Sequence, residues 1–509
     1  MGILLLGGLV AALIFLSRRY FRRRRLHYPP GPKGLPFIGN VLDIPRGGRG
    51  WLTYERWGRE HDSDIISLRI FGISIIILNS AKATYELLGR RSSIYSDRQR
   101  LAMLHDFVGW DKSLVFAGYG EDWREHHRVF HEAFQGRAIR EYHPKMSKEA
   151  KKLLPRLLTT DDFRQTLRTT TAAVILGVTF GMDIKDHSDS YVVLAEKAIR
   201  SIVAVALPGT YMVDYMPLMR WIPSWAPGGE FKREAAEWSA LVSDMFTTPL
   251  ELVKTALRAG TASPCVAATL LDRLDERKDK SEHERYIRNV TGTAYVAAAD
   301  TTPSALGTFM LAMVMNPAIQ RAAQEQIDRV VGQNSLPEFA DREHLPYINA
   351  ILYEVLRWRP VAPLGIPHKL TVDDDYQGYH IPAGSIVVGN TWAILHDSDR
   401  FPDPDTFDPT RWLTPDGKLS DNWQDAMTAF GYGRRMCPGR NFAMESMWIN
   451  MAHILAVYDI EKPVDEYGRP IEPSGEYTSG LLTYPVPFKV VFKPRSAAAF
   501  NLIQADLDD

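Results

Sequence analysis

The chain has 509 residues, 45% apolar, 11% aromatic and 24% charged, a composition that excludes a disordered or fibrous protein and allows a large buried core. Its 60 basic and 61 acidic residues leave a net charge of −1, so the whole-chain field offers nothing to nucleic acid and any electrostatic docking has to be local. Two cysteines, Cys265 and Cys437, are too few for a disulfide framework and fit a reducing compartment.

Gly2 to Ser17, GILLLGGLVAALIFLS, carries no charge. At about 1.5 Å per residue it spans roughly 24 Å, which suits the thin bilayer of the endoplasmic reticulum once Tyr20, Phe21 and the neighbouring arginines extend it. A cleaved leader has its positive charge ahead of the apolar run, whereas here RRYFRRRR follows it. Residues 1–27 are therefore expected to be an uncleaved single-pass anchor with a cytosolic basic flank, an interfacial segment being the alternative. Residues 28–40, YPPGPKGLPFIGN, form a semi-rigid Pro/Gly hinge, and 41–509 read as one catalytic body.

Within that body, Asp64 to Ser80 holds two β-branched runs broken at Gly72, which predicts a hairpin. Most of Ala81 to Trp358 has helical apolar spacing; NPAIQRAAQEQIDRVV, for example, opens with proline in its first turn. Beyond Pro360 the pattern predicts strand-like pieces such as SIVVGNTWAIL, then a helix after Arg440 and a closing hairpin in YPVPFKVVF. The expected fold class is mainly α with small β-sheets.

FGYGRRMCPGR, Phe430 to Arg440, frames one of the two thiols. A thiolate is a soft metal ligand that stays ionised only with donors around it. Gly433 and Gly439 let the backbone bend close and turn N–H groups toward the Cys437 sulfur, and a helix starting near Arg440 aims its positive end at it. Arg435 is placed to pair with a carboxylate of a bound cofactor, and Phe430 to cover the sulfur. The pattern Phe430-x-x-Gly433-x-Arg435-x-Cys437-x-Gly439 resembles the haem-binding signature of the cytochrome P-450 monooxygenases, in which the cysteine is the axial iron ligand. The resemblance implies haem b held by Cys437, and the family's haem-thiolate fold behind an anchor helix.

Further motifs carry the same resemblance. Glu-x-x-Arg also begins at Glu121, Glu125, Glu230, Glu282 and Glu466, but Glu354 and Arg357 in EVLR precede FDPTRWL, whose Arg411 matches the third member of the family's buried ion triad. AAADTT, Ala297 to Thr302, resembles the oxygen-activation segment, with Thr301 to donate and accept a proton, Asp300 to link it to solvent, and Pro303 to open the helix. Ala298 stands where the family usually has glycine. DWREHHRVF resembles the helix whose tryptophan and arginine meet a haem propionate: Trp123 matches, while the arginine position is His127, with Arg128 beside it. Arg124, Arg128, Arg434 and Arg440 make a candidate basic face for an acidic electron donor.

Residues at family-like pocket positions are Val108, Ala294, Ala298, Leu364, Ile366, Leu481 and Leu482, and VAVALPGTYMVDYMPL from Val203 is expected to form an apolar mouth near membrane lipid. The resemblance implies insertion of one oxygen atom from dioxygen into a lipophilic small molecule by a monomer on the cytosolic side of the endoplasmic reticulum. Electrons come from NADPH and flavins only through a separate reductase, since the chain has no dinucleotide fingerprint. The Pro-rich, IPHKLTVDDDYQGYHIPAGS and cysteine-loop phrases look like fungal members that tailor secondary metabolites, terpenoid or indole products among them. Fatty acids, sterols or xenobiotics, a haem-thiolate isomerase or dehydratase, and a haem sensor are the other readings. His368 and His396 lack companion ligands at metal-site spacing and read as packed histidines. Cys265 has no frame of donors, and the NVT at Asn289 runs into an apolar helix, so no sugar is expected there.

Overall fold

The isoleucine-rich run after the Pro-rich segment folds as the hairpin its pattern predicts, β1 (Ile65–Ile70) against β2 (Ile73–Leu78), with Ile65 opposite Leu78 and Ile70 opposite Ile73. The two turn residues, Phe71 and Gly72, have φ of 46° and 85°, the double left-handed geometry whose twist matches paired strands. The structure is a computed structural model that describes residues 27–45, 48–206, 210–276 and 279–505. The expected anchor, its arginine flank and Leu207 to Gly209 of the expected mouth lie outside the described residues, and among the described residues no helix is long and apolar enough to cross a membrane.

The Pro/Gly hinge is stitched to the hairpin. Ser67 N–H donates to Pro30 C=O at 2.8 Å, and Asn40 exchanges two hydrogen bonds with the backbone of Arg69. A Cβ on Gly31 or Gly39 would collide with the Ser67 or Arg69 carbonyl. The connector therefore runs flush along β1. Later strands are β3 (His368–Lys369), β4 (Asp374–Tyr376), β5 (Tyr379–Ile381), β6 (Ile386–Gly389), β7 (Tyr458–Glu461) and β8 (Val491–Pro494). The main sheet has the order β1-β2-β6-β3, with β6 parallel to β2, and β4–β5 and β7–β8 form two-stranded sheets.

Ten α-helices of eleven residues or more lie among the described residues: α1 (Gly50–Glu60), α2 (Glu121–Phe134), α3 (Arg137–Thr159), α4 (Phe163–Phe180), α5 (Ser190–Val205), α6 (Phe231–Arg258), α7 (Lys280–Met315), α8 (Pro317–Val330), α9 (Pro346–Trp358) and α10 (Arg440–Val457). The 36-residue α7 is buried over most of its length after Tyr286 and threads the centre of the core, as a helix without an amphipathic stripe does. It packs beside α4 and against α2, α9 and α10. Fully buried Phe309, Met310, Leu352, Trp448 and Ile454 join these helices into one core, and the sheet has its own clusters around Ile76 and Ile77.

Two expectations are corrected. The closing segment pairs locally only at its start, where Tyr477 bridges Pro485 antiparallel, Thr478 N–H donates to Tyr484 C=O and Val486 N–H donates to Glu476 C=O, both at 2.8 Å; Pro485 and Pro487 remove the donors that a longer ladder needs, and β8 pairs with β7, with Tyr458 opposite Pro494. SIVVGNTWAIL is a strand only to Gly389, where the Asn390 side chain accepts from Ala393 N–H and starts a short helix over Thr391–Leu395.

Candidate active site

The cysteine loop closes on itself. Cys437 N–H donates to Phe430 C=O at 2.8 Å, and Gly439 caps α10, which starts at Arg440. Burial pushes the Cys437 thiol up, while the Gly439 N–H and the Arg440 charge act the other way. Gln135, just past α2, donates to Pro438 C=O and accepts from Asn441, clamping the loop to the helix opposite. Gly439 thus has the predicted part of a donor near the sulfur. Gly433 has another one: its φ is 54° and a Cβ would strike the Leu88 carbonyl, so it is required by a backbone crossing and not by the sulfur.

Arg435 points the other way along the loop. Its guanidinium lies 4.4 Å from the Trp123 ring and donates to Ser96 C=O at 2.7 Å and Ala117 C=O at 2.8 Å. Arg98, 9% exposed, donates to Ile366 C=O at 2.6 Å and Pro367 C=O at 2.7 Å. The two cations repel, and burial lowers both, Arg435 to about 10. Among the described residues neither has a carboxylate within ion-pair distance; Asp97 acts on both only through space and pairs with Lys369 at 3.4 Å. His368 lies against the same pair. Its Nδ1 donates to Tyr95 C=O at 2.8 Å, and burial, Arg98 and then Arg435 hold its pKa far below normal. A buried hydroxyl, Ser96 Oγ, has no partner beside them. Two guanidiniums without an ion-pair partner among the described residues, the imidazole of His368 beside them and the Cys437 thiol two residues along the loop from Arg435 are the donor set that a metal ion inside a dicarboxylate ring would complete. The residues present therefore fit a haem.

Arg98 and His368 escaped the sequence reading because neither stands in a local motif. Trp123 is buried, with its indole N–H donating to Leu114 C=O at 3.2 Å. The His127 ring is tilted against Trp123 with 4.8 Å between the ring centres, and burial, His131, Arg435 and Arg440 lower its pKa. Arg128 lies elsewhere, on the outer face of α2, where Glu125 and Glu132 hold it at 2.5 and 2.8 Å. Of the two candidates only His127 joins the cradle. Arg434 and Arg124 instead flank the Tyr119 ring at 5.7 and 5.9 Å, and Arg440 donates to Cys437 C=O at 3.4 Å.

On α7, Asp300 and Thr301 are adjacent but committed to other partners. Asp300 pairs with Arg168 of α4 at 2.6 Å, and the Thr301 hydroxyl donates to Ala297 C=O at 2.6 Å. Pro303 removes the next backbone donor, so the helix is loosened at this site. Ala297 to Thr301 retain accessible surface within an otherwise buried helix, and the Phe430–Gly439 loop does likewise.

The structure brings the ion triad together. Glu354 accepts from Arg357 at 2.7 and 2.8 Å, and Arg411 Nε lies 3.5 Å from it. Asp408 N–H at 2.9 Å and the Trp412 indole at 3.0 Å complete the carboxylate. Trp412 is a fourth member that the spacing argument did not single out.

Pocket positions divide. Ala298, Leu364, Ile366, Leu481 and Leu482 keep accessible surface, Leu364 at the edge of the sheet cluster, whereas Val108 and Ala294 are sealed at 0% and 3%. Of the expected mouth, Val203, Met212, Met216 and Leu218 are exposed, as are Trp221 and Trp225 beyond it. His396 and His453 are packed histidines. Asn289 is buried and paired with His126 at 3.1 Å, which leaves no room for a sugar. Cys265 does have a donor, accepting from Ala268 N–H at 3.4 Å as the cap of a short helix.

Comparison with known proteins places this geometry. Residues 29–492 match the model of the family described as cytochrome P450. The chain is 43% identical to cytochrome P450 monooxygenase 98 of Postia placenta, over 97% of this chain and 95% of that protein. It is 40% identical to a cytochrome P450 monooxygenase of Armillaria gallica, over 98% and 97%. It is also 38% identical to tryptamine 4-monooxygenase of Psilocybe cyanescens, over 97% and 98%.

Proposed function

The chain belongs to the cytochrome P450 family and is a monooxygenase, and from that premise we propose that it oxidises a lipophilic small molecule of fungal secondary metabolism, with Cys437 as the iron ligand. The haem-thiolate group the family carries supplies, when bound, the activation of dioxygen for insertion of one oxygen atom into substrate. In this reading Cys437 holds the iron, and the Gly439 N–H and the Arg440 charge favour its thiolate. Arg98, Arg435, His368 and His127 receive the two propionates. Thr301 holds a proton at its hydroxyl near the reacting oxygen, and Asp300 refills it.

The observation that carries the reading is the closed Cys437 loop beside Arg98 and Arg435, for which no carboxylate lies within ion-pair distance among the described residues. The test is the carbon monoxide difference spectrum of the reduced, recombinant microsomal protein. A strongly red-shifted Soret band is expected, and it is expected to vanish in Cys437→Ser; a Cys437→Ser variant that keeps the band overturns the assignment.

Accessible Ala298, Ile366, Leu481 and Leu482 support an apolar substrate, and the relative named tryptamine 4-monooxygenase supports an aromatic one. Spin-state titration with indole and terpenoid panels against fatty acids and sterols discriminates the classes; a response confined to fatty acids or sterols refutes the secondary-metabolite reading. Electrons are taken from NADPH through a separate reductase docking at Arg124, Arg434 and Arg440. The N-terminal apolar run anchors the monomer in the endoplasmic reticulum membrane, and exposed Met216, Leu218 and Trp221 turn the mouth toward lipid.

A further inference from the structure

A cleft of about 910 Å³ opens between α1, the residues just past α9, the short helix after Asn390 and the 475–483 segment, and its lining shares no residue with the haem cradle. Arg359, the residue that follows α9, is held there by rings. Its guanidinium lies 4.4, 5.2 and 5.7 Å from the ring centres of Trp358, Trp392 and Tyr477. Its one hydrogen bond among the described residues goes to Trp358 C=O at 2.9 Å, and the nearest carboxylate, Asp405, stands 3.8 Å away with a side chain 83% exposed. Burial lowers the Arg359 pKa, the mark of a cation that so weak a contact does not compensate. The aromatic lining is rigid: Trp392 is stacked on His396 at 3.7 Å and lies 6.2 Å from Trp51, and the Tyr477 hydroxyl donates to Thr308 of α7 at 3.0 Å. A guanidinium with unused donors, edged by aromatic faces, suits a planar carboxylate on a flat apolar body, since the fork meets the carboxylate in plane while the body lies on indole. Exposed Asp62, Asp397 and Asp405 in the same lining favour a single negative charge over a phosphate dianion.

We propose that this cleft is a second small-molecule site, taking an aromatic monocarboxylate on Arg359, and that its occupancy acts on the substrate side through Thr483. Thr483 and Pro360 both line the cleft. The Thr483 hydroxyl donates to Pro360 C=O at 3.3 Å, its N–H donates to Val361 C=O at 2.9 Å, and its carbonyl accepts from Ser304 of α7 at 2.5 Å. Leu481 and Leu482, which precede it, keep accessible surface where the substrate is placed above. A ligand pressing on Thr483 from the cleft shifts those two leucines, so each site alters the fit of the other, and by linkage the effect on affinity is equal in both directions. The coupling rests on the substrate reading given above; the binding of the carboxylate does not.

The test is calorimetric titration of 2-naphthoate, near neutral pH, into the haem-loaded, full-length protein saturated with 4-phenylimidazole, which fills the haem side and leaves the cleft to be read alone. One saturable site is expected, with 2-naphthamide, the same rings without the charge, about tenfold weaker or more. Arg359→Gln is expected to weaken 2-naphthoate by about tenfold or more. Leu52→Trp, at a lining position 37% exposed, fills the cleft without touching a charge and is expected to do the same; it stands in if Arg359→Gln does not fold. Asp405→Asn removes the carboxylate that competes for Arg359 and is expected to tighten binding about two- to fivefold. Absence of a saturable site, or parental affinity in either weakened variant, overturns the proposal. For the coupling, the 4-phenylimidazole dissociation constant read from the Soret band is expected to change about twofold or more when 2-naphthoate saturates the parent, and to stay constant in Leu52→Trp. No change in the parent, or an equal change in Leu52→Trp from competition at the haem, overturns the coupling and leaves the binding standing. A protein whose Soret band the azole does not move refutes the haem reading and the coupling with it, while the calorimetric site is judged by its own variants.

Discussion

Acid should destabilise this protein through two buried histidines far from the cysteine loop. His396 is 8% exposed, stacked 3.7 Å from Trp392, with Nδ1 bonded to Trp392 C=O at 3.0 Å and Nε2 unpartnered; burial, Arg357 and Arg359 push its pKa down to about 3. His453 on α10 is 1% exposed, with Nε2 bonded to Pro337 C=O at 3.0 Å, and burial above all lowers it to about 4. Both stay neutral when folded but take up a proton in the unfolded chain below about 6.5. The unfolded state then binds more protons, so stability is full above that value and falls as pH drops toward the folded pKa values. Between about pH 7.5 and about pH 5.5 each histidine removes about 1.4 kcal/mol, and the pair about 3 kcal/mol. Urea midpoints of the haem-loaded protein at those two pH values, converted with a common m-value, measure the drop. The His396→Gln, His453→Gln double variant should lose about 3 kcal/mol less than the parent over the same interval. An equal loss in both proteins would refute the reasoning. Turnover assays below the midpoint of this window would then report unfolding as much as chemistry.

Glu354→Gln leaves Arg357 and Arg411 buried without an anion and should cost about 3–5 kcal/mol, read as a collapse in the yield of haem-loaded protein. Gly433→Ala forces a side chain into positive φ and against the Leu88 carbonyl; a loss of at least about 1–3 kcal/mol is expected in thermal unfolding, and an unchanged melting temperature would contradict the close approach. Arg98→Gln removes one charged donor from the cradle and should speed haem transfer to apomyoglobin about tenfold or more, with secondary structure retained by circular dichroism. Thr301→Ala should keep haem while diverting electrons to peroxide, and unchanged coupling between NADPH use and product would sink its role.

Much of this architecture was legible because it is local. The hairpin follows from β-branched runs around Phe71–Gly72, the start of α10 from the Gly439–Arg440 step, and Glu354 with Arg357 from i, i+3 spacing. What escaped is what the fold brings together from afar. Arg98 in SDRQR and His368 in IPHKL have no local periodicity or motif to mark them, yet they meet at Arg435. Trp412, next to Arg411, has no spacing signal of its own, yet its indole donates to Glu354. The requirement at Gly433 was misassigned to the sulfur because the crossing strand of backbone, at Leu88, lies in a different part of the chain. Asp300 and Thr301 were readable as a pair, but not the Arg168 that pairs with Asp300, since nothing in α4 marks one arginine among its neighbours.

The parallel pairing of β2 with β6 also bears on biosynthesis. Ile75 to Leu78 find their partners in Ile386 to Gly389, roughly three hundred residues later, which at about 5–20 residues per second is on the order of 15–60 s of translation. For that interval the nascent chain carries an isoleucine-rich strand with one open edge, and such an edge is a template for pairing with other chains. Products that stop short of Gly389 never cover it. Truncated forms should therefore be cleared or aggregate rather than accumulate as soluble fragments, and slow expression at low temperature should favour the intact protein only if a chaperone shields that edge meanwhile.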